Sequence, residues 1–481
     1  MRSHRTAAIL STGDELVLGQ LQDTNARWLA QRLTDRGVRV VEIAAVGDEL
    51  AELASAIVRL SAKADVLVMT GGLGPTDGDL TRAALCMVSG DAIVDDPAQA
   101  QALTEKLSTR GRSVNARQLR QTQRPARARC LPNDFGTAPG LYLTLNLPAS
   151  DGSHSCDVLA LPGPPNELMP MWHAHAEPLL RPSRVVLTRL GYVLGMPEAE
   201  CAARLGALTA RDRTPLLGMT ASGGILTLRH RYEGDDAAAG AVLLNADQAA
   251  VRELLGPNLF ASASGGGAEG ATPSDAVLAA AVLERLRGID QRLALAESCT
   301  GGLLGALLTG VPGSSAAMLG GVISYSNQLK QGLLGVPAEL LAQHGAVSVP
   351  VAAAMATGAA RVCRADWALS ITGVAGPGGG TDAKPAGTVV IAVARRTLDV
   401  DAESAKRDAQ QLRPQHGQAH QPQTQQSFAQ GFHAVDVRTF LFTGDRNDVR
   451  HRACVSALAM LWFALNPASG PVRLSWEMPA G

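Results

Sequence analysis

Apolar runs of strand length that end in glycine turns alternate with segments of helical period along most of this chain. No other feature confines its fold as tightly. The series begins RTAAILST, NARWLAQRLTDRG, VRVVEIAAV, ELAELASAIVRLSA, ADVLVMTGG and continues through CDVLALPG. It restarts with AVLAAAVLERLRG, RLALA, LLGALLTG, GGVISYS, WALSITG and GTVVIAVA. Strand-helix alternation predicts an α/β fold with helices wound on both faces of a parallel sheet. The chain has 481 residues, too many for one core. The expected organisation is two doubly wound α/β domains, 1–182 and 275–466, joined by a small α+β module (183–260) and a flexible Gly/Ser-rich linker (261–274). Residues 398–433, rich in Gln, His and Arg and without period, read as a disordered insertion between two strands of the last domain.

Composition removes several classes of function. With a formal net charge of −1 the chain has no basic field for nucleic acid or a membrane surface, and its 3% aromatic content offers few stacking platforms. No apolar run is long enough for a bilayer span, and the N-terminal stretch carries no signal-cleavage pattern. Seven scattered cysteines without a CxxC pair suggest neither a disulfide framework nor a zinc site, and a reducing cytoplasm is the expected compartment. Lysine occurs only at positions 63, 106, 330, 384 and 406, so a Lys inside a motif asks for a reason that Arg could not meet.

Two groups of motifs stand at expected strand ends. In the first half, Gly13-Asp14-Glu15 and Gly71-Gly72-Leu73-Gly74-Pro75-Thr76 end two strands, and Gly136-Thr137 lies in a third glycine turn. Glycine lets backbone amides approach a phosphate at the carboxyl edge of a parallel sheet. Asp14, Glu15, Asp77 and Asp79 could hold a divalent ion bridging such phosphates, or be ordinary turn residues.

The second half carries AESCTGG, VPGSSAA, SYSNQLK, SITGVAGPGGG and FTGDR. Ser298, Thr300, Gly301 and Gly302 form a strand-to-helix turn whose amides are expected to face a crevice and bind an anion. Cys299 is a candidate nucleophile, but neither His344 nor His451 sits in a motif that would make it the base, so a packed thiol is the alternative. Lys330 can become a neutral base if buried, with Ser314 and Ser315 as candidate partners; a solvated helix-start cation is the bland reading. Thr372, Gly373 and Gly376 open a glycine loop able to supply oxyanion donors, Lys384 lies in the same loop, and Arg446 opens the last helix.

GDELVLGQLQDTN, GGLGPTDGDLT, FGTAPG and LPGPPNEL, in that order, resemble the molybdopterin-binding-like domain that opens proteins of the CinA (competence/damage-inducible) family. That resemblance implies metal-dependent hydrolysis of ADP-ribose, or binding of a nucleotide or pterin without catalysis in a competence or DNA-damage role. It carries over Asp14, Glu15, Asn25, Gly71, Gly72, Gly74, Thr76, Asp79, Gly136 and Thr137, with Asp14 and Asp79 as metal ligands. The family has two adjacent aspartates before Leu-Thr, whereas this chain has Gly78 and Asp79, with Asp77 as a substitute next door.

The second group resembles the C-terminal CinA domain. That resemblance implies deamidation of nicotinamide mononucleotide (NMN) to nicotinate mononucleotide and ammonia, without a cofactor. In it Ser315 is the nucleophile, Lys330 and Tyr325 activate it, and Thr372 stabilises the tetrahedral intermediate. Arg446 and the Ser298 turn contact substrate, and a homo-oligomer is expected.

Overall fold

The computed structural model describes residues 3–109, 111–149, 152–265, 273–396, 432–467 and 472–479. The chain divides into two compact units. One comprises 1–188 with 231–243 and 266–270, the other 189–230, 244–265 and 271–481.

In the first unit β1 (Thr6–Thr12), β2 (Arg39–Val46) and β3 (Val66–Thr70) precede a small ribbon of β4 (Ile93–Asp95) and β5 (Gln123–Pro125). They are followed by β6 (Arg129–Leu131), β7 (Gly140–Ala149) and β8 (Gly152–Leu161). The sheet order is β2-β1-β3-β8-β7-β6. The first four strands in that order are parallel, β7 is antiparallel to β8 and β6 antiparallel to β7, so the sheet is mixed where a purely parallel one was expected. All five residues of β3 and nearly all of β1 are buried, as continuous apolar strands covered on both faces must be. Because β1 leads to neighbours on opposite sides, the chain leaves β1 and β3 in diverging directions and opens a crevice at their carboxyl ends.

The second unit contains two sheets. β9 (Val185–Val193), β10 (Leu216–Ser222), β11 (Ile225–Gly234) and β12 (Leu259–Gly265) form one in the order β10-β11-β9-β12. β13 (Leu293–Glu297), β14 (Met318–Ile323), β15 (Trp367–Gly373), β16 (Thr388–Arg396) and β17 (Phe432–Leu441) form the other, in the order β14-β13-β15-β16-β17. Here β14, β13 and β15 are parallel, β16 is antiparallel to β15 and β17 antiparallel to β16.

Two expectations change. Residues 261–265, assigned to the linker, are strand, and only 266–272 of that stretch lie outside the described residues. The middle module, expected only to join the two domains, packs into the core of the second unit. Leu190, Tyr192, Leu194, Ile225 and Phe260 share one core with the helices Ser274–Gly288 and Arg446–Leu465. The expected insertion falls between β16 and β17, and 397–431 lie outside the described residues. Among the described residues no helix is long and apolar enough to cross a membrane.

Candidate functional site

The carboxyl edge of the first sheet forms a cavity of about 720 Å³. Of the residues expected there, Glu15, Asn25, Gly71, Gly72, Gly74, Thr76, Asp79 and Thr137 line it, as does the unforeseen Asp48. Asp14 and Gly136 do not line it: an Asp14 oxygen accepts the Asp48 amide (3.0 Å), and the Gly136 amide donates to Asn133 (2.7 Å). Gly71 and Gly72 have φ of +99° and +65°, the left-handed region that lets the chain leave β3 sharply. Thr137 donates to Gln121. Asn25 donates to Thr70 and to the Gly163 carbonyl, while its buried Oδ1 has no partner among the described residues.

The acids work differently from the expectation. Asp79 accepts the Gly74 amide (2.8 Å) on one oxygen and the Thr76 amide (2.7 Å) and hydroxyl (2.5 Å) on the other. From the other side Arg82, buried, donates to the carbonyls of Leu73 and Gly74. One acid thus collects the loop's amides and one arginine its carbonyls. Burial lowers the Arg82 guanidinium to about 10.

Asp77 cannot substitute for the missing neighbour, because it points to Arg117 and Arg120. A Cβ at Gly78 would lie 3.4 Å from Asp48 Oδ2, so a carboxylate at this position would sit against Asp48. Partial removal from water, and then the fields of Asp14, Glu15 and Asp79, raise the Asp48 carboxyl. The signal for Asp48 was the Gly-Asp that ends β2 at the same edge as the Gly-Asp of β1. Among the described residues no group of three or more His, Cys, Asp or Glu could hold a metal ion. The residues present do not fit the divalent ion expected on Asp14 and Asp79: Asp14 does not line the cavity and gives one oxygen to a backbone amide, and both oxygens of Asp79 serve its own loop.

In the second unit the carboxyl ends of β13, β14 and β15 bring together Ser298, Tyr325, Lys330 and Thr372. Lys330 is 1% exposed, and its Nζ donates to Ser298 Oγ (3.1 Å) and to the carbonyls of Ser324 (2.7 Å) and Tyr325 (3.3 Å). An ammonium has three donors, so this set is complete and leaves none for Ser315. Burial pushes the Lys330 amine below its ordinary value.

The expected nucleophile is therefore corrected. Ser315 is exposed in the turn that precedes β14, beside Ala317, whose carbonyl receives the amide of Leu293 at the start of β13. Ser298 follows the end of β13. The two serines lie at opposite edges of the sheet, separated by a five-residue strand, or about 16 Å.

The anion cradle is also corrected. The buried Glu297 carboxylate accepts the amides of Gly302 (3.0 Å), Leu304 (3.1 Å) and Gly305 (2.8 Å), so the start of the helix Leu303–Thr309 is already filled by the chain's own acid. Gly301 and Gly302, at φ +60° and +95°, give the turn its tight return. Arg450, unnoticed in the sequence, donates to the Thr300 carbonyl (2.7 Å) from one helical turn beyond Arg446. Among the described residues the Thr300 amide donates to no acceptor, and its buried hydroxyl has no partner.

Thr372 gives its only hydroxyl proton to the Ala346 carbonyl (2.9 Å), so it is not an oxyanion donor. Gly373 ends β15 opposite Val389. Arg446 donates to the Gly376 carbonyl (2.8 Å) and to the Tyr325 hydroxyl (3.2 Å), joining three loops. Lys384 donates to the His344 carbonyl, and His451 pairs with Asp275. Burial pushes the Cys299 thiol up to about 11, which makes it a packed residue.

Residues 275–421 match the model of the CinA C-terminal domain, and residues 8–182 that of a probable molybdopterin binding domain. The chain is 42% identical over 393 residues to a CinA-like protein of Synechococcus sp. (strain CC9902), covering 81% of this chain and 89% of that one. It is 38% identical to a putative competence-damage inducible protein of Symbiobacterium thermophilum, covering 95% and 97%. The crystal structure of the competence/damage inducible protein CihA from Agrobacterium tumefaciens aligns at 32% identity, with a TM-score of 0.31, over 41% of this chain and 99% of that one.

Proposed function

Since the chain belongs to the CinA family, we propose that its second unit hydrolyses the carboxamide of NMN, with Ser298 as nucleophile and Lys330 as its base. The observation that carries this reading is the buried Lys330 Nζ set 3.1 Å from Ser298 Oγ. A desolvated amine spends more of its time neutral, and a neutral amine can accept the hydroxyl proton.

Ser298 Oγ attacks the carboxamide carbon as its proton passes to Lys330. The free Thr300 amide, next but one to the nucleophile, is a donor for the developing oxyanion. Lys330 returns the proton to the departing ammonia, leaving an ester on Ser298. Water, deprotonated by Lys330, then cleaves the ester to nicotinate mononucleotide and restores the hydroxyl. Incubating the purified protein with NMN and analysing products by mass spectrometry tests the reading. It requires equal amounts of ammonia and nicotinate mononucleotide, and intact NMN defeats it.

For the first unit the binding reading is favoured over metal-dependent ADP-ribose hydrolysis, because Asp79 is spent on its loop and Gly78 supplies no carboxylate beside it. ADP-ribose should then bind in calorimetry without release of AMP, with or without magnesium. Metal-dependent AMP release would reverse that preference.

A further inference from the structure

The cavity of the first unit is lopsided in charge. Among the described residues that line it are the carboxylates Glu15, Asp23, Asp48, Asp79 and Glu167, and none is Lys, Arg or His. Three amides of the glycine loop are already engaged, Gly71 with the Leu161 carbonyl (3.1 Å) and Gly74 and Thr76 with Asp79. A phosphate-bearing ligand bound there without a metal ion needs positive charge from outside the lining.

The rim supplies that charge. Asp77 stands between Thr76 and Gly78, which both line the cavity, and accepts Arg117 on one carboxylate oxygen (3.0 Å) and Arg120 on the other (2.8 Å). The two arginines are three residues apart on the helix Ala116–Arg120, a spacing that puts side chains on one face. Both ends of this helix are fixed. Asn115 and Gln118 form a capping box at its start. Gln121, which follows Arg120 and lines the cavity, is 1% exposed and accepts the Thr137 hydroxyl (3.1 Å).

The charged groups themselves are open to water, with the side chains of Arg117, Arg120 and Asp77 67%, 57% and 70% exposed. Ion pairs this exposed contribute little to stability, so little is lost when they open. Each guanidinium gives Asp77 one of its five N–H groups, and the forked remainder matches the oxygens of a phosphate. A diphosphate brings more charge and more acceptor oxygens than one carboxylate, and it can engage both arginines at once.

We propose that Arg117 and Arg120 are the anion-binding pair of the first unit, and that Asp77 occupies them until the diphosphate of a nucleotide displaces it. The proposal rests on the binding reading of this unit, and it accounts for binding that needs no magnesium. Asp77 is then a competitor of the ligand and not a metal ligand for it.

The test titrates the full chain calorimetrically with ADP-ribose and with inorganic pyrophosphate, in the absence of divalent ions. Replacing both arginines, Arg117→Gln with Arg120→Gln, should weaken both ligands about tenfold or more, whereas Asp77→Asn should tighten both about threefold or more. The opposite signs separate the proposal from a structural role, because a merely structural ion pair broken from either side would shift affinity in the same direction. Circular dichroism establishes that the variants are folded, and Asp77→Asn alone decides if the double variant is not. Affinities unchanged in the folded double variant, or weakened by Asp77→Asn, overturn the anion pair. Pyrophosphate bound with this dependence on the arginines, beside ADP-ribose that does not bind, supports the pair and defeats the nucleotide reading of the cavity. A wild-type protein that binds neither ligand defeats both.

Discussion

Lys330 Nζ lies 3.1 Å from Ser298 Oγ, although 32 residues separate them in sequence and they follow two different strands. β13 and β14 are parallel neighbours, so the residues that leave their carboxyl ends converge on one crevice. A lysine that is 1% exposed and bonded to a serine hydroxyl is costly to maintain, and it is the kind of local cost that functional sites carry.

The charge of Lys330 gives the first prediction. Lys330→Met keeps an unbranched chain but removes the buried amine, so it should lower kcat roughly 10³-fold or more while leaving the melting temperature unchanged or higher. Lys330→Arg should be equally inactive, since a guanidinium keeps its proton. Turnover and thermal unfolding measured on the same preparations check both.

The pH profile follows from the direction of the same shift. Because burial lowers the folded-state value of Lys330 below the ordinary 10.5, the neutral amine appears at lower pH than it would in water. The acid limb of kcat/KM should therefore rise with pH through a midpoint below the ordinary lysine value. Between that midpoint and the ordinary value the unfolded chain binds more protons than the native one, so stability should also rise with pH there. Neither slope should survive in Lys330→Met.

The Ser298 turn is clamped by Glu297 on its amides and Arg450 on its Thr300 carbonyl. Arg450→Ala should lower kcat about 10- to 100-fold through misplacement of Ser298, with a smaller change in KM. Glu297→Gln turns an acceptor oxygen into a donor that faces amides, and it should cost stability as well as rate. Initial rates over a range of NMN concentrations separate kcat from KM.

In the first unit, Asp79→Ala releases two amides and a hydroxyl of the glycine loop. A loss of roughly 1.5–3 kcal/mol is expected for bonds to a charged group, and ADP-ribose binding should weaken with it. Denaturant unfolding and calorimetry report the two effects.

Much of the fold was legible because its signal is periodic. The apolar runs of β1, β3, β13 and β15 are buried as expected, and the glycine ends of β1 and β3 do line the crevice of the first unit. The scarcity of lysine singled out Lys330, which is buried, but its hydroxyl partner is Ser298 and not the Ser315 expected from the sequence. Ser315 precedes β14 and Lys330 follows it, so the strand itself carries them to opposite edges. Composition also could not show that acids beside glycine turns would satisfy the turns' own amides. Asp79 and Glu297 both do so, which removes one expected metal ligand and one expected phosphate cradle. Asp48 was missed although its Gly-Asp repeats the one that ends β1, and Arg450 was missed because a single residue on a helix face makes no local motif.

The nucleophile is the central claim, and turnover of NMN by Ser298→Ala and Ser315→Ala, assayed side by side with wild type, tests it most directly. Ser298→Ala should lose at least about 10³-fold in kcat/KM, and Ser315→Ala should stay within about twofold of wild type. Retained turnover in Ser298→Ala, or its loss in Ser315→Ala, would contradict the Ser298–Lys330 assignment.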